Sequence, residues 1–298
     1  MTYEQVLETC AAEDENLLVL TAENRVAIRN LPGRLGDRFM DFGICEQTMV
    51  GAAAGLALRG RIPVVHALAS FLTMRAFEFI RTDVGYPGLS VKLVGGVPGF
   101  LSEANGPTHQ AIEDIAIMRG IPDMHIFCPA DAEELAAGMP AIIRDPAPWY
   151  IRYNALPAAV EHTASFGAGK AERLSTGSDV TILTYGFLVR EAVRAAAILA
   201  TGGLAAGVVN LRTLKPLDED AVLTAAGETS MLVTVEDHFQ TGGLASIVAE
   251  LFLRYHVGAR VLPIALPDRW FHPALLQDVL ETEGFTGEKL AERIARDF

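Results

Sequence analysis

Residues 63–96 read PVVHALASFLTMRAFEFIRTDVGYPGLSVKLVGG. PVVHALA (63–69) and SVKLVGG (90–96) are short apolar runs of the kind that fill a sheet buried on both faces. Between them MRAFEFIRTDVG (74–85) has helical spacing. A strand, a helix and a strand in succession form the unit from which parallel sheets are built. The alternation continues on both sides. Upstream lie an amphipathic helix from about Tyr3 to Ala12, the strand LLVLTA (17–22), a strand candidate in DRFMDFGI (37–44) and a helix that opens at about Glu46. Downstream come helix AIEDIAIMRG (111–120), strand HIFCPA (125–130), helix DAEELAAGMPAII (131–143) and strand WYIRYN (149–154).

Residues 155–179 break the rhythm with scattered Gly, Ser and Pro, and a domain boundary is expected there. The alternation then restarts with strands at 180–186, 206–212, 231–237 and 260–266 and helices at 189–201, 218–227 and 242–255. The expected fold class is α/β, with two doubly wound domains at 1–157 and 166–298. The length of 298 residues agrees with about two domains of ~150 residues.

A net charge of −13 without any basic run argues against nucleic acid and against an anionic membrane surface as partners. Three scattered cysteines (Cys10, Cys45, Cys128) lack metal-binding spacing and read as free thiols of a reducing compartment. The start, MTYEQVLETCAAEDE, has no signal-peptide pattern, and no apolar run reaches the ~18 residues of a membrane span. A cytoplasmic location is expected.

Four places can carry chemistry. Glu46 heads EQTMVGAAAGLAL (46–58), an apolar, small-residue helix. As a plain first-turn acid it only complements the helix dipole. As a functional group it would be a carboxyl dried by its packing, able to hold or share a proton at neutral pH. His109 in NGPTHQ (105–110) sits on a Gly/Pro loop beyond strand 90–96, where open α/β sheets bind ligands. Phe71, Phe77 and Phe79 are spaced either as core or as a platform for a planar cofactor. Arg152, near the end of a strand, would grip an anion or make an ordinary ion pair. GGVPGF (95–100) matches neither phosphate-loop pattern, and Cys45 has no histidine partner that spacing can supply.

In the order FGICEQTMVGAAAGLAL, SFLTMRAFEFIR, NGPTHQAIEDIAIMRGIPDMHIFCPADAEE, YIRYN, GSDVTILTYG, NLRTLKPLDED and VEDHFQTGGLASIVAE, nearly the whole chain resembles the C-terminal part of transketolases. The resemblance implies a pyrimidine-binding domain of thiamine diphosphate enzymes followed by a transketolase C-terminal domain. It also implies site residues. Glu46 would hydrogen-bond the cofactor's aminopyrimidine, Phe71 (or Phe77) would stack on it, and Glu23 would lie near it. His109, Asn105 and Arg152 would contact the sugar phosphate.

The GDG motif that holds the diphosphate and its metal in this family occurs nowhere in the chain. The resemblance therefore implies a split transketolase: an N-terminal subunit with GDG binds Mg2+ or Ca2+, and two copies of each chain assemble around shared thiamine diphosphate. Three departures bear on the sugar. Asn105 stands where aspartate is usual, Val97 where long transketolases have a phosphate-binding histidine, and Phe79 where some relatives have glutamine. A modified ketose donor fits these changes. The alternatives are a deoxyxylulose phosphate synthase-like chain, a 2-oxo-acid dehydrogenase beta subunit, and a non-catalytic partner subunit.

Overall fold

The computed structural model describes residues 1–162 and 165–298; residues 163 and 164 of the irregular stretch lie outside the described residues. Among the described residues, twelve strands form two sheets: β1 (Leu17–Thr21), β2 (Phe39–Asp41), β3 (Ile62–Leu68), β4 (Lys92–Gly96), β5 (His125–Phe127), β6 (Trp149–Arg152), β7 (Glu172–Ser175), β8 (Val180–Thr184), β9 (Ala206–Asn210), β10 (Thr213–Lys215), β11 (Met231–Phe239) and β12 (Val261–Leu266). The first sheet has the order β10-β5-β6-β4-β3-β1-β2 and the second β12-β11-β8-β9-β7. Every pairing is parallel except β10 with β5 and β7 with β9. This is the α/β architecture expected. The interior strands β1, β4 and β8 are buried along their whole length because helices cover both faces.

One face of the first sheet is covered by helices Tyr3–Glu13 and Ala132–Arg144, whose Leu7, Leu135 and Met139 pack on Val19 and Val64. The other face carries Met49, Val50 and Ala53 of helix Glu46–Leu58. That apolar cluster runs on without a break into Leu214, Val222, Leu244 and Val248 of the second half. The two halves therefore share a core.

Several elements escape the sequence reading, among them two strands and two helices. Strands β7 (ERLS) and β10 (TLK) are short and polar, and each is recruited by a neighbouring edge. Strand β10 comes from the second half of the chain yet extends the first sheet. Helices Leu276–Glu283 and Gly287–Asp297 close the second domain, the latter burying Leu290, Ala291 and Ile294 at helical spacing.

One expectation needs correction. Residues 74–85 do not form a regular helix: Phe71–Arg75 and Ile80–Gly85 are π-helical, with bonds five residues apart from Ala76 N–H to Phe71 O and from Tyr86 N–H to Arg81 O. Such widened turns concentrate at functional sites. In helix Glu46–Leu58 it is Ala53 and Ala54 that are buried, whereas Gly51 and Ala52 are half-buried and Gly55 is exposed with open space before it. The glycines do not tighten packing within this chain.

Candidate active site

The strands of the first sheet run parallel, so the segments after β2, β3 and β4 emerge together at their carboxyl ends. Residues 42–45 lead from β2 into helix Glu46–Leu58, with Glu46 as its first residue. Met49 and Val50, one turn on, turn inward and take the head of the helix with them, so that Glu46 is only 2% exposed. Its Oε2 accepts a hydrogen bond from Arg75 Nη1 at 2.8 Å.

Arg75 lies in the π-turn after β3, and its guanidinium sits 4.1 Å above the ring centre of Phe71, four residues earlier. The Phe71 ring in turn meets the His109 ring edge-on, with centroids 5.0 Å apart. Carboxylate, guanidinium, phenyl ring and imidazole thus form a continuous row. His109 Nδ1 pairs with Thr108 Oγ1 at 2.8 Å, which leaves Nε2 for another partner. Asn105 is exposed on the same loop, with Nδ2 donating to Ser102 O at 2.7 Å. Left-handed Glu103 (φ 49°) and Gly106 (φ 82°) turn the loop at this point.

Glu23 is exposed at the end of β1 in a left-handed conformation (φ 61°), its N–H donating to Asp41 Oδ1 at 3.1 Å. Val97, just past β4, is left-handed as well (φ 48°), an unusual strain for a β-branched residue. Phe77 stands apart from the row, packed against the shared apolar core.

Arg152 belongs elsewhere too. It is 3% exposed and gives Nε to Asp114 Oδ2 (2.9 Å) and Nη1 to Asp237 Oδ1 (2.7 Å). Tyr150 donates its hydroxyl to the same Asp114 oxygen at 2.6 Å, and the Tyr185 ring lies 5.4 Å from the guanidinium. Arg152, expected at a sugar phosphate, is thus buried and ion-paired to Asp114 and Asp237. Burial pushes the Asp237 carboxyl up, with Arg152 pulling against it. Next to it, burial drives Glu236 up to about 8, although the N–H groups of Leu244 and Ala245 oppose the shift.

Sequence reasoning missed Arg75, Asp114 and Asp237. Arg75 was within reach, four residues after Phe71 in SFLTMRAF. Nothing in the sequence links Asp237 to Arg152, 85 positions away.

The row offers a planar heteroaromatic cofactor a buried carboxyl for a ring nitrogen and an aromatic face for stacking. Arg75 takes up both in this chain, and its side chain is 38% exposed. The donor set therefore fits the pyrimidine half of thiamine diphosphate.

Comparison with known proteins agrees. Residues 1–156 match the transketolase pyrimidine-binding domain and residues 169–290 the transketolase C-terminal domain. The 6-deoxy-6-sulfo-D-fructose transketolase subunit SqwH of Clostridium sp. (strain MSTE9) is 40% identical over 84% of this chain and 79% of its own length. A putative transketolase C-terminal section from Methanocaldococcus jannaschii is 34% identical over 99% of this chain and 94% of its own. Among solved structures, a split gene transketolase described as an inactive beta4 tetramer superimposes with a TM-score of 0.89 at 33% identity, over 99% of this chain and 96% of that one. The chain belongs to the transketolase family, whose members depend on thiamine diphosphate, and it has the domain order of the C-terminal subunit of a split transketolase.

Proposed function

We propose that this chain is the catalytic C-terminal subunit of a two-chain transketolase. It would move a two-carbon ketol unit from a ketose phosphate, or a modified ketose, to an aldose. The observation that carries this reading is the row Glu46, Arg75, Phe71 and His109 at the carboxyl ends of the first sheet. When bound, thiamine diphosphate supplies the nucleophilic carbon for the ketose carbonyl and accepts the charge that develops there.

Each residue has a task its surroundings suit. Glu46, dry and at a helix N-terminus, holds or passes a proton at its carboxyl oxygens toward the pyrimidine nitrogen. Phe71 presents its face to the ring once Arg75 turns away, and Arg75 then adds positive charge at the mouth. His109, anchored through Nδ1, uses Nε2 to orient or deprotonate a sugar hydroxyl. Asn105, neutral and able both to donate and to accept, reads another hydroxyl. Phe77 serves packing rather than stacking, and Glu23 lies at the cofactor side of the mouth.

A second subunit with the GDG motif would hold the diphosphate and a Mg2+ or Ca2+ ion, in an assembly of two copies of each chain. Supporting this, apolar side chains remain exposed around Glu46: Ile44 (67%), Met74 (36%) and Phe79 (36%). No helix among the described residues is long and apolar enough to cross a membrane. The sulfo-sugar named for the Clostridium relative makes a modified ketose a reasonable donor. The test is reconstitution with the GDG-bearing chain, thiamine diphosphate and a divalent metal. Ketol transfer should appear only in the mixture and pyruvate should not be decarboxylated; tight cofactor binding and turnover by this chain alone would overturn the proposal.

A further inference from the structure

Residues 97–112, which carry Asn105 and His109, leave the first sheet after β4, yet besides the His109–Phe71 contact they are fastened from the second domain. Phe100 and Ile112 belong to the apolar cluster of that domain, and the Phe100 ring stands edge-on between Phe271 (5.2 Å) and Phe285 (5.0 Å). Buried Gln110 donates Nε2 to Phe271 O at 3.0 Å, and Phe239 N–H donates to Ile112 O at 2.9 Å. Pro273 would be the nearest neighbour, at 3.9 Å, of a Cβ placed on Gly106.

The polar centre of this attachment is Asp237 on β11. Its carboxylate packs against Gly99 at the start of the loop and accepts Arg152 Nη1 from the end of β6. Arg152 passes the link on through Nε to Asp114, two residues beyond the loop's far end. One carboxylate of the second domain therefore abuts the start of the segment and, through Arg152 and Asp114, reaches its far end. Gly99 leaves room for it: a Cβ there would fall 1.8 Å from Asp237 Oδ2 and 2.8 Å from Arg152 Nη2, and its φ of +55° suits glycine in any case.

We propose that Asp237, bridged by Arg152, is a positioning residue through which the second domain holds His109 and Asn105 in register for the donor sugar. This rests on the reading of His109 as a sugar-contacting group. Asp237 is buried and acts through the loop, whereas the head of helix Glu46–Leu58 is turned inward by its own Met49 and Val50.

The test uses the reconstituted two-chain enzyme with Asp237→Asn, and with Gln110→Met as a milder lesion should the first variant fold poorly. Hydrogen exchange is followed in residues 97–112 and 46–58, alongside donor KM, kcat and thiamine diphosphate affinity. Exchange should rise about ten-fold in 97–112 alone. Donor kcat/KM should fall about 10- to 100-fold for Asp237→Asn, mainly through KM, and less for Gln110→Met, with cofactor affinity within about two-fold of wild type. Unchanged loop exchange in a folded variant overturns the proposal, as does loosening spread over both segments with cofactor affinity lost in parallel. A loosened loop with normal turnover, in an enzyme that His109→Ala inactivates, overturns it too. If the loop loosens and His109→Ala is itself harmless, the attachment stands and the reading of His109 falls.

Discussion

Two arginines of the first domain face carboxylates under opposite conditions. Arg75 is 38% exposed and bonds one oxygen of Glu46, while Arg152 is 3% exposed and bridges Asp114 and Asp237. In the first pair the carboxylate is buried but the arginine faces water in part, so its attraction is partly screened. The second is locked, because taking away one member strands charge in a dry interior. The sequence reading singled out Arg152 and passed over Arg75, and burial reverses that order: Arg75 stands beside Glu46 and Phe71, and Arg152 lies beneath the surface.

This contrast can be broken by substitution. Arg152→Met should cost about 3–5 kcal/mol of stability, since Asp114 and Asp237 lose their shared counter-ion. Chemical denaturation of the chain measures it, and a loss below about 1 kcal/mol would show the triad to be weakly coupled. Gly99→Ala should cost less, about 1–3 kcal/mol, from a strained φ and a methyl driven against Asp237.

A pH effect follows from Glu236 beside the locked triad. Its folded-state value of about 8 lies above the ordinary 4.5, so between these values the folded chain holds a proton that the unfolded chain releases. Its contribution to stability is complete below about pH 4.5 and is lost as pH rises through 8. Thermal melts across pH 5–9 should therefore drop more steeply for wild type than for Glu236→Gln; identical slopes would place Glu236 outside the titration. The smallest effect belongs to Arg75→Met, at most about 1 kcal/mol. In the assembled enzyme the same change should leave cofactor binding equal or tighter by calorimetry, since Arg75 covers the groups the cofactor would use; a large loss of affinity would make Arg75 a ligand instead.

The legible parts of this protein are those where one segment decides its own structure. Strands such as LLVLT and VTILT, helix Val189–Thr201 and the punctuation around NGPTHQ could be read because apolar period and turn chemistry are local signals. Strand β10 could not, because TLK pairs only when β5 offers it an edge. The π-turns at Phe71–Arg75 and Ile80–Gly85 were equally hidden, since widening a helix by one residue leaves the composition unchanged. Glu46, Phe71 and His109 were found separately in the sequence, and folding brings them into one row. The ties from Asp237, Gln110 and Phe100 depend on how two domains meet, which no single segment records.

The central claim is that the buried carboxyl of Glu46 is the proton handle of a ketol transfer this chain performs with a second subunit. It is tested most directly by reconstituting Glu46→Gln with that subunit and measuring ketol transfer at saturating thiamine diphosphate. The amide keeps the shape and the link to Arg75 but cannot exchange the proton, so the rate should fall at least about 100-fold while the complex still assembles. A rate near that of the wild-type complex would contradict the account.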